Sequence, residues 1–179
     1  PIGGRYRLDR EIGRGGMAIV FLAQDLRHHR PVALKLLRRR LAAFITWDRF
    51  RQEIQFAAEL SHPHLLPLLD SGEHDGLPYY VIPYQPDGSL RDLLDREGPR
   101  PVREALSITR QLASALAAVH ARGIIHRDLK PANVLLAGSH PFLADFGIAR
   151  ALSRSTGDSL TDTGMVIGTA GYMAPEQAR

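Results

Sequence analysis

The first third of the chain alternates short apolar runs with glycine-rich turns, a pattern that indicates β-strands. Three strands are predicted here, over residues 6–12, 19–23 and 32–37. The first two flank the cluster 13–16, so they are expected to form a hairpin with a glycine-rich tip. In the third strand, alternation places Ala33, Lys35 and Leu37 on one face.

One helix and two more strands are predicted next. Thr46 is the expected N-cap of a helix of about 15 residues. Its apolar positions recur at helical spacing, and it ends before Pro63. Residues 65–69 and 78–83 predict two further strands, and the glycine-containing stretch 72–76 predicts the loop between them.

The second half of the chain is mainly helical in pattern. A short helix is predicted over 89–96 and a longer one over 102–121. The apolar stripe of the longer helix is expected to comprise Ala105, Leu106, Leu112, Leu116 and Val119. Gly123 stands where helices commonly end in a left-handed residue.

Shorter elements and a loop complete the second half. Strands are predicted at 124–125, 134–136 and 142–144. The Ser/Thr-rich stretch 151–163 lacks periodicity and is expected to form a mobile loop. A change in composition near residues 85–88 predicts a boundary between two lobes, 1–85 and 86–179.

Composition places the chain among ordinary globular proteins. It has 179 residues, of which 44% are hydrophobic and 23% charged, and it lacks cysteine, which excludes thiolate metal sites and cysteine nucleophiles. The net charge is a mild +4, and the basic residues are scattered apart from 38–40, so no nucleic-acid partner is expected. No apolar run reaches the length of about 18 residues that a membrane helix needs, so no membrane contact is expected from this segment.

Two residue types are rare enough to attract attention. Of the 23 Lys and Arg residues, only Lys35 and Lys130 are lysines, and Asn133 is the only asparagine. A compact ammonium and a planar guanidinium are not interchangeable. Because the chain otherwise uses arginine, these three positions are the first candidates for chemistry that demands a particular side chain.

The glycine-rich tip has the form Gly13-x-Gly15-x-x-Ala18-x-Val20. Glycines let backbone N–H groups approach phosphate oxygens without an intervening Cβ. The pattern by itself is equally that of an ordinary hairpin. No helix follows the turn, so it does not fit a dinucleotide-binding fingerprint.

Lys35 and Glu53 are each unremarkable alone, because a lysine on a strand usually faces solvent. Taken together, they permit an ion pair in which the carboxylate fixes an ammonium aimed at anionic oxygens.

The segment 126–133, His-Arg-Asp-Leu-Lys-Pro-Ala-Asn, carries the strongest chemical signal. It packs an acid, a base, an amide and a histidine into one turn, and Asp145-Phe146-Gly147 follows 17 residues after Asp128. An Asp and an Asn that converge supply the hard oxygen ligands that suit Mg²⁺ bridging phosphates. For either piece alone, turn residues that cap local backbone would be the simpler interpretation.

In this order, the motifs resemble those of protein kinases, in particular the eukaryotic-like Ser/Thr kinases of bacteria. The shared motifs are the glycine loop, Val-Ala-Leu-Lys at 32–35, the helix Glu53, the segment 126–133, Asp-Phe-Gly at 145–147, and Gly168-Thr169 before Ala-Pro-Glu at 174–176. The resemblance implies an α+β, bilobal kinase fold. Its N-lobe, a five-stranded antiparallel sheet plus one helix, is expected to be complete, and its mainly helical C-lobe incomplete.

The resemblance also implies a role for each motif residue, with ATP and Mg²⁺ as cofactors. Lys35, held by Glu53, is expected to contact the α- and β-phosphates, while Asn133 and Asp145 hold Mg²⁺. Asp128 is expected to accept the proton of the substrate hydroxyl, and Lys130 to contact the transferring phosphate. The other residues expected to contact the nucleotide are Ile12, Gly13, Arg14, Gly15, Gly16, Met17, Ala18, Val20, Ala33, Pro83, Gln85 and Leu135.

Adenine recognition and regulation follow from the same resemblance. Ile82 matches the gatekeeper, Pro83 offers only its C=O, and Gln85 offers its N–H. Arg127 precedes the catalytic Asp, as in kinases switched on by phosphorylation of the activation loop. A phosphate on Thr161 or Thr163 is expected to pair with it, and Thr169 with Lys130 indicates Ser/Thr hydroxyls as acceptors.

The implied partners are proteins with Ser/Thr acceptors, and a second copy for trans-autophosphorylation. A cytoplasmic location is expected, with a membrane anchor only in sequence outside this segment. Because the family places further helices after Ala-Pro-Glu, residues 1–179 alone are expected to have little or no activity. Two alternatives stay open: a pseudokinase scaffold that binds ATP without transfer, and a small-molecule kinase on a related fold.

Overall fold

The structure is a computed structural model, and it describes residues 1–16, 18–39, 47–145 and 170–177. The chain divides into two compact units. The first comprises Pro1–Ala58 and Pro67–Tyr84, and the second comprises Glu59–Leu66 and Gln85–Arg179.

The first unit is built on one five-stranded antiparallel sheet with the strand order β1-β2-β3-β5-β4. Its strands are β1 (Tyr6–Arg14), β2 (Ala18–Asp25), β3 (Arg30–Leu37), β4 (Asp70–His74) and β5 (Leu77–Pro83). Helix α1 (Trp47–Ala58) lies between β3 and β4 in the sequence. The predicted five-stranded sheet is therefore confirmed, and among the described residues of this unit α1 matches the predicted helix. The expected N-cap Thr46 lies outside the described residues.

The fourth strand was predicted at the wrong place. The expected strand at 65–69 is replaced by Asp70–His74, so Gly72 lies inside a strand and not in a loop. A Cβ on Gly72 would lie 2.5 Å from the Tyr79 hydroxyl oxygen and 2.6 Å from the ring carbon that carries it. Gly72 is therefore required by close packing against Tyr79. The turn itself is the two-residue pair Asp75-Gly76, and both residues have positive φ (51° and 73°), as a type I′ hairpin turn requires.

One face of this sheet forms the core of the first unit. Alternation along the strands turns Val32 and Leu34 to this face and Ala33 and Lys35 to the other. The buried side chains of this core are Ile2, Tyr6, Ala23, Val32, Leu34, Tyr79 and Val81. The second face therefore carries the residues to which the sequence assigns chemistry.

An ion-pair network ties the start of the chain to this sheet. The Arg5 guanidinium donates to both carboxylate oxygens of buried Asp25, at 2.8 and 2.7 Å, and to Asp70 at 2.7 Å. The Tyr6 hydroxyl donates to the same Asp70 oxygen at 2.6 Å. The Arg5 hydrogen bonds hold the pKa of Asp25 well below its ordinary value, so this carboxylate stays charged despite its burial. The network joins the segment before β1 to the end of β2 and the start of β4.

The described residues of the second unit form two helices and a small hairpin. Its elements are α2 (Leu90–Glu97), α3 (Val102–His120), a 3₁₀ turn (Pro131–Asn133), β6 (Val134–Ala137), β7 (His140–Leu143) and two further 3₁₀ turns (Ala170–Tyr172 and Pro175–Gln177). Ser89 caps α2 in a capping box with Asp92, which explains where this helix begins. Gly123, at φ 69°, has the predicted left-handed conformation after α3.

Two details of the second unit differ from the sequence-based expectation. The buried residues of α3 are Ile108, Ala115 and Val119, whereas the predicted stripe member Leu106 is 58% exposed and Val102 is 75% exposed. Leu106 is two positions from Ile108, and at 100° per residue it points to the opposite side. Residues 124–125 do not form a strand. Within the described part of the chain, the search for a helix long and apolar enough to cross a membrane found none.

The segment Glu59–Leu66 packs against the β6–β7 hairpin. Leu66 N–H donates to Leu143 O at 3.0 Å, and Leu143 N–H donates to His64 O at 2.8 Å. Arg122 Nη1 donates to Glu59 O at 2.8 Å, which fixes the start of the segment as well. The two bonds at Leu143 fix the end of β7 to this segment, two residues before Asp145.

Candidate active site

The loop between α3 and β6 is organised around a short turn. Pro131 occupies the first position of the 3₁₀ turn Pro131–Asn133, where the missing N–H of proline costs nothing. Asn133 N–H closes this turn by donating to Lys130 O at 2.9 Å. Strand β6 begins at the next residue, so Asn133 is held at the junction of turn and strand and is only 7% exposed.

This loop brings three of the predicted site residues together. Asn133 Nδ2 donates to the backbone oxygen of Asp128 at 2.7 Å and to Asp128 Oδ2 at 3.0 Å. Lys130 Nζ lies 2.8 Å from the same Oδ2. The Asp128 carboxylate is therefore held by an amide and an ammonium within one short loop, and charge-assisted bonds of this kind are the stronger ones.

The same bonds orient the side chain of Asn133. Because both donor contacts use its amide nitrogen, the amide plane is fixed and the carbonyl oxygen Oδ1 points away from Asp128. Asn133 thus presents a hard oxygen in a defined direction. This is the property expected of a ligand for a divalent cation such as Mg²⁺.

His126 connects the loop to the strand that leads to Asp145. Its ring is buried, Asp128 N–H donates to Nδ1 at 3.3 Å, and Nε2 lies 2.9 Å from Ala144 O. Since Nδ1 accepts and Ala144 offers only an oxygen, the ring is neutral with its proton on Nε2. Burial lowers the pKa of His126 from its ordinary value of 6.5.

This burial predicts an acid-sensitive loop. Below pH 6.5, His126 takes up a proton in the unfolded chain but not in the folded one, where its pKa is lower. Protonation therefore favours the unfolded chain. The contribution of the neutral ring to folding stability is complete above pH 6.5 and is lost as the pH falls toward the pKa of the folded state. The loss amounts to about 1.4 kcal/mol per pH unit in that window. We expect hydrogen exchange of residues 124–145 in the full-length protein, corrected for its intrinsic pH dependence, to accelerate accordingly.

Two variants check this assignment. His126→Phe is expected to exchange faster at pH 7.5, because Ala144 O and Asp128 N lose a partner, but to show a flatter dependence on acid. The exposed His120→Phe serves as the control and is expected to behave as wild type. Equal acid dependence in the wild type and His126→Phe would contradict the role given to this imidazole.

Asp145 follows directly after Ala144, whose N–H donates to Asn133 O at 2.9 Å. The negative charges of Asp145 and Asp128 both act to raise the pKa of the buried His126, against the larger lowering effect of burial. Asp145 has φ 67° and Arg127 has φ 65°, both in the left-handed region. Such a conformation costs a non-glycine residue about 1–3 kcal/mol and is concentrated at functional sites.

In the first unit, the strand register lines up the predicted phosphate-binding residues. Val20 on β2 pairs with Lys35 on β3, and Gly13 on β1 pairs with Val20. Ala33 lies two residues from Lys35 on the same face and is buried. The sheet therefore presents the glycine loop, Val20, Ala33 and Lys35 on one face.

The glycine loop has no internal reason to consist of glycine. Gly15 N–H donates to Ala18 O at 2.9 Å and closes the turn. None of Gly13, Gly15 and Gly16 has a positive φ, and a Cβ would meet nothing closer than 3.6 Å at Gly13, 3.8 Å at Gly15 and nothing within 4 Å at Gly16. Neither backbone conformation nor packing demands glycine here. The open backbone is consistent with the ligand contact that the sequence predicts for this loop.

The remaining predicted contacts are distributed over both units. Ile12 is half-buried on β1, and the exposed Arg14 is paired with Glu11. Pro83 ends β5, after the buried Ile82. In the second unit, Gln85 and the β6 residue Leu135 are half-buried. Outside the described residues lie Met17, Phe146, Gly147, Thr161, Thr163 and Thr169, and of Glu53 only the backbone, in α1, is described.

The sequence analysis did not identify Tyr80, which lies next to the predicted site residue Lys35. Tyr80 on β5 pairs with Lys35 on β3, and the Lys35 ammonium lies 5.8 Å from the centroid of the Tyr80 ring. An aromatic residue in an apolar strand carries no signal beyond core packing. Only the register between the two strands reveals the contact.

The comparisons with known proteins agree with this fold. The family model described as "Protein kinase domain" matches residues 6–179. The chain therefore belongs to the protein kinase domain family, and the kinase fold expected from the sequence is confirmed.

Within this family, the relatives are bacterial serine/threonine-protein kinases. The chain is 46% identical over 98% of its length to serine/threonine-protein kinase PknB of Mycobacterium leprae and 47% identical over 98% to that of Mycolicibacterium smegmatis. It spans 29% of the length of each of these relatives. It is also 45% identical over 99% of its length to a probable serine/threonine-protein kinase of Corynebacterium efficiens, of which it spans 28%.

Solved structures give the same fold. A point mutant of the PknI kinase domain of Mycobacterium tuberculosis matches with a TM-score of 0.71 and 38% identity, over 80% of this chain and 59% of that one. The structure of Rad53 1–466 in complex with AMP-PNP matches with a TM-score of 0.79 and 27% identity, over 98% of this chain and 43% of that one.

Proposed function

We propose that the protein is an ATP-dependent serine/threonine protein kinase, in which the first unit binds the nucleotide and the second carries the chemistry. The observation that carries the proposal is the Asp128 carboxylate, whose Oδ2 receives Lys130 Nζ at 2.8 Å and Asn133 Nδ2 at 3.0 Å. A purely structural loop has no need of an acid, a lysine and an amide fixed on one another. Membership of the protein kinase domain family supports the same reaction.

Asp128 is the group that receives the substrate. Its carboxylate accepts a hydrogen bond from the incoming hydroxyl and orients the oxygen toward the γ-phosphorus of ATP. It takes the hydroxyl proton as the new O–P bond forms and the bond from the γ-phosphorus to the β-phosphate oxygen breaks, which releases ADP. The bonds from Asn133 and Lys130 hold the carboxylate in one position before the substrate arrives. Lys130 also places a positive charge next to the site where negative charge develops on the transferring group.

The donor set of the loop fits Mg²⁺. Asn133 Oδ1 has a fixed direction, and the Asp145 carboxylate follows a residue bonded to Asn133. Among the described residues, no three His, Cys, Asp or Glu side chains converge as a protein-only metal site. Mg²⁺ is commonly held by one or two protein oxygens together with phosphate oxygens, and two ligands suffice for that. When bound, Mg²⁺ would neutralise charge on the phosphates, with Asn133 and Asp145 as its protein ligands.

The first unit supplies the phosphate and adenine contacts. Lys35 provides an ammonium on the same sheet face as Val20 and Ala33, whose apolar side chains suit a flat ring. The glycine loop offers backbone N–H groups without side chains in the way. Ile82 and Pro83 end β5 where the family places its adenine-binding hinge.

Protein Ser/Thr hydroxyls are the proposed acceptors. Lys130 in the Asp128 loop is typical of Ser/Thr kinases, and the relatives carry that description in their names. The segment 168–176 resembles the platform on which kinases hold protein substrates, which disfavours a small-molecule acceptor. Because ATP is a cytosolic nucleotide, we assign this domain to the cytoplasm.

The test is transfer of phosphate from γ-labelled ATP by the full-length protein to a generic basic protein, followed by phosphoamino-acid analysis. We expect Mg²⁺-dependent labelling on serine and threonine. ATP binding without any transfer would favour the pseudokinase scaffold. Labelling confined to small molecules would favour a small-molecule kinase on a related fold. The whole protein is needed, since the solved PknI kinase domain is longer than this chain, and we expect residues 1–179 alone to transfer phosphate slowly or not at all.

Activation is proposed to occur by autophosphorylation at Thr161 or Thr163 between two copies of the protein. A phosphothreonine there would pair with Arg127, the exposed guanidinium next to Asp128. We expect mass spectrometry of active full-length protein to find phosphate on at least one of the two threonines, and the Asp128→Asn protein to lack it. Active protein with both threonines unmodified would refute this route.

A further inference from the structure

The row of residues that contains Lys35 continues across the whole sheet. Gly13, Val20, Lys35, Tyr80 and Ser71 are consecutive cross-strand partners on β1, β2, β3, β5 and β4. Directly opposed residues in antiparallel strands turn their side chains to the same face. Lys35 therefore stands between an aliphatic neighbour, Val20, and an aromatic one, Tyr80.

The aromatic neighbour is positioned to act on the charge. The Lys35 ammonium nitrogen lies 5.8 Å from the centroid of the Tyr80 ring, within the range of cation–π attraction. The Tyr80 residue is only 5% exposed, so little water screens this side of the ammonium. Because the Tyr80 ring is buried, few rotamers are open to it. Its fixed position therefore restricts the positions that the Lys35 ammonium can take.

Burial alone does not explain an aromatic residue here. Tyr80 lies on the face opposite to the core cluster, which takes its β5 neighbours Tyr79 and Val81. Its companion two residues along the same face is the aliphatic Ile82, paired with Ala33. An aliphatic side chain at position 80 would fill the interior next to Lys35, but it would offer no negative ring face to an ammonium.

We propose that Tyr80 is a positioning residue for Lys35: its ring holds the ammonium in the direction of the nucleotide phosphates. The inference rests on the proposed function, because it gives Tyr80 a role only if Lys35 binds phosphate. Tyr80 touches neither substrate nor nucleotide in this proposal and acts through the lysine. Its influence is therefore confined to ligands that carry phosphate groups.

The expected effect is moderate and selective. Replacing the ring by an aliphatic side chain removes the cation–π contact, and we expect a loss of about 3- to 30-fold in ATP affinity, with a matching rise in KM. Adenosine lacks the phosphates that Lys35 would contact, so its affinity is expected to stay within about 2-fold. Phenylalanine keeps the ring face and is expected to restore ATP affinity to near that of the wild type.

The experiment compares Tyr80→Leu, Tyr80→Phe and the matched control Tyr79→Leu in the full-length protein. Tyr79 is the adjacent buried tyrosine on the opposite face, so its replacement reports the cost of losing an aromatic residue without touching Lys35. Affinities for ATP and for adenosine are measured by competition, and folding by thermal denaturation. If Tyr80→Leu does not fold, Tyr80→Met takes its place, since it is flexible enough to fill the same space.

The possible results distinguish a failure of the positioning role of Tyr80 from a failure of the proposed kinase function. A wild-type protein that binds no ATP would overturn the proposed function. If the wild type binds ATP, but the aliphatic variant binds it as tightly as Tyr80→Phe does, the positioning role is wrong while the function stands. Equal losses for ATP and adenosine, or the same loss in Tyr79→Leu, would likewise overturn it in favour of simple packing.

Discussion

The Asp128→Asn protein is expected to transfer phosphate about 10²- to 10⁴-fold more slowly than the wild type, which is the usual contribution of a positioned general base. Asparagine has nearly the shape of aspartate and still offers an oxygen to Lys130 and Asn133, so the loop is expected to keep its structure. Its amide cannot take a proton, however. The change should therefore appear in kcat, while ATP affinity stays close to that of the wild type.

Initial rates of labelling, taken over a range of ATP concentrations, check this expectation. The matched control is Asp75→Asn, because the Asp75 side chain is 83% exposed in the turn between β4 and β5. That protein should be as active and as stable as the wild type. An Asp128→Asn rate within about 3-fold of the wild-type rate would remove the basis for assigning the chemistry to this carboxylate.

The sheet of the first unit was predictable because alternation is a local signal. Strands β2, β3 and β5 each carry their own apolar run, and β1 begins with alternating apolar and charged residues. The observed bounds of these four strands differ from the predicted ones by at most two residues. Strand β4 was misplaced because its sequence, Asp-Ser-Gly-Glu-His, looks like a loop. It becomes a strand through pairing with β5 and through the space that Gly72 leaves for Tyr79.

The buried face of α3 was predicted only in part for a related reason. Helical spacing identifies a helix, but several faces of α3 are apolar, and the packed partner decides which of them is buried. In the described part of the chain, packing buries Ile108, Ala115 and Val119 of α3 and leaves Leu106 exposed. Tertiary contacts of this kind are not encoded in the periodicity of one segment.

At the candidate site, too, the sequence identified the residues but not the contacts between them. Residue type and order were enough to single out Asp128, Lys130 and Asn133, because the chain uses lysine and asparagine almost nowhere else. Their mutual bonds were not predictable, since Asp128 and Asn133 lie five positions apart in a loop to which many conformations are open. The motif identifies Arg127 and His126 by type and position, but the positive φ of Arg127 and the hydrogen bonds of the buried His126 ring appear only in the structure.

Asn133 allows the proposed metal-ligand role to be separated from a structural one, because its amide nitrogen bonds Asp128 while its Oδ1 is the proposed Mg²⁺ ligand. The Asn133→Ala change removes both hydrogen bonds to Asp128 and the proposed Oδ1 ligand together. We expect phosphate transfer to fall by a factor on the order of 10² or more. The part-buried backbone oxygen of Asp128 loses the hydrogen bond from Asn133, which we expect to cost about 1 kcal/mol of stability. Gln111→Ala, which removes an amide side chain bonded to Ser107 on α3, is the matched control.

The Asn133→Asp change tests whether the amide nitrogen or the Oδ1 oxygen of Asn133 is needed for transfer. It keeps an oxygen for Mg²⁺ but puts a carboxylate oxygen where an N–H now lies 3.0 Å from Asp128 Oδ2. Because like charges at that distance repel, we expect this variant to be inactive and less stable at pH 7 than Asn133→Ala, and to regain stability as the pH falls and one carboxyl takes up a proton. Transfer rates as a function of Mg²⁺ concentration and thermal denaturation between pH 5 and 8 measure both effects. An Asn133→Asp protein with near wild-type transfer would mean that the oxygen ligand alone matters, and that the amide bond to Asp128 is dispensable.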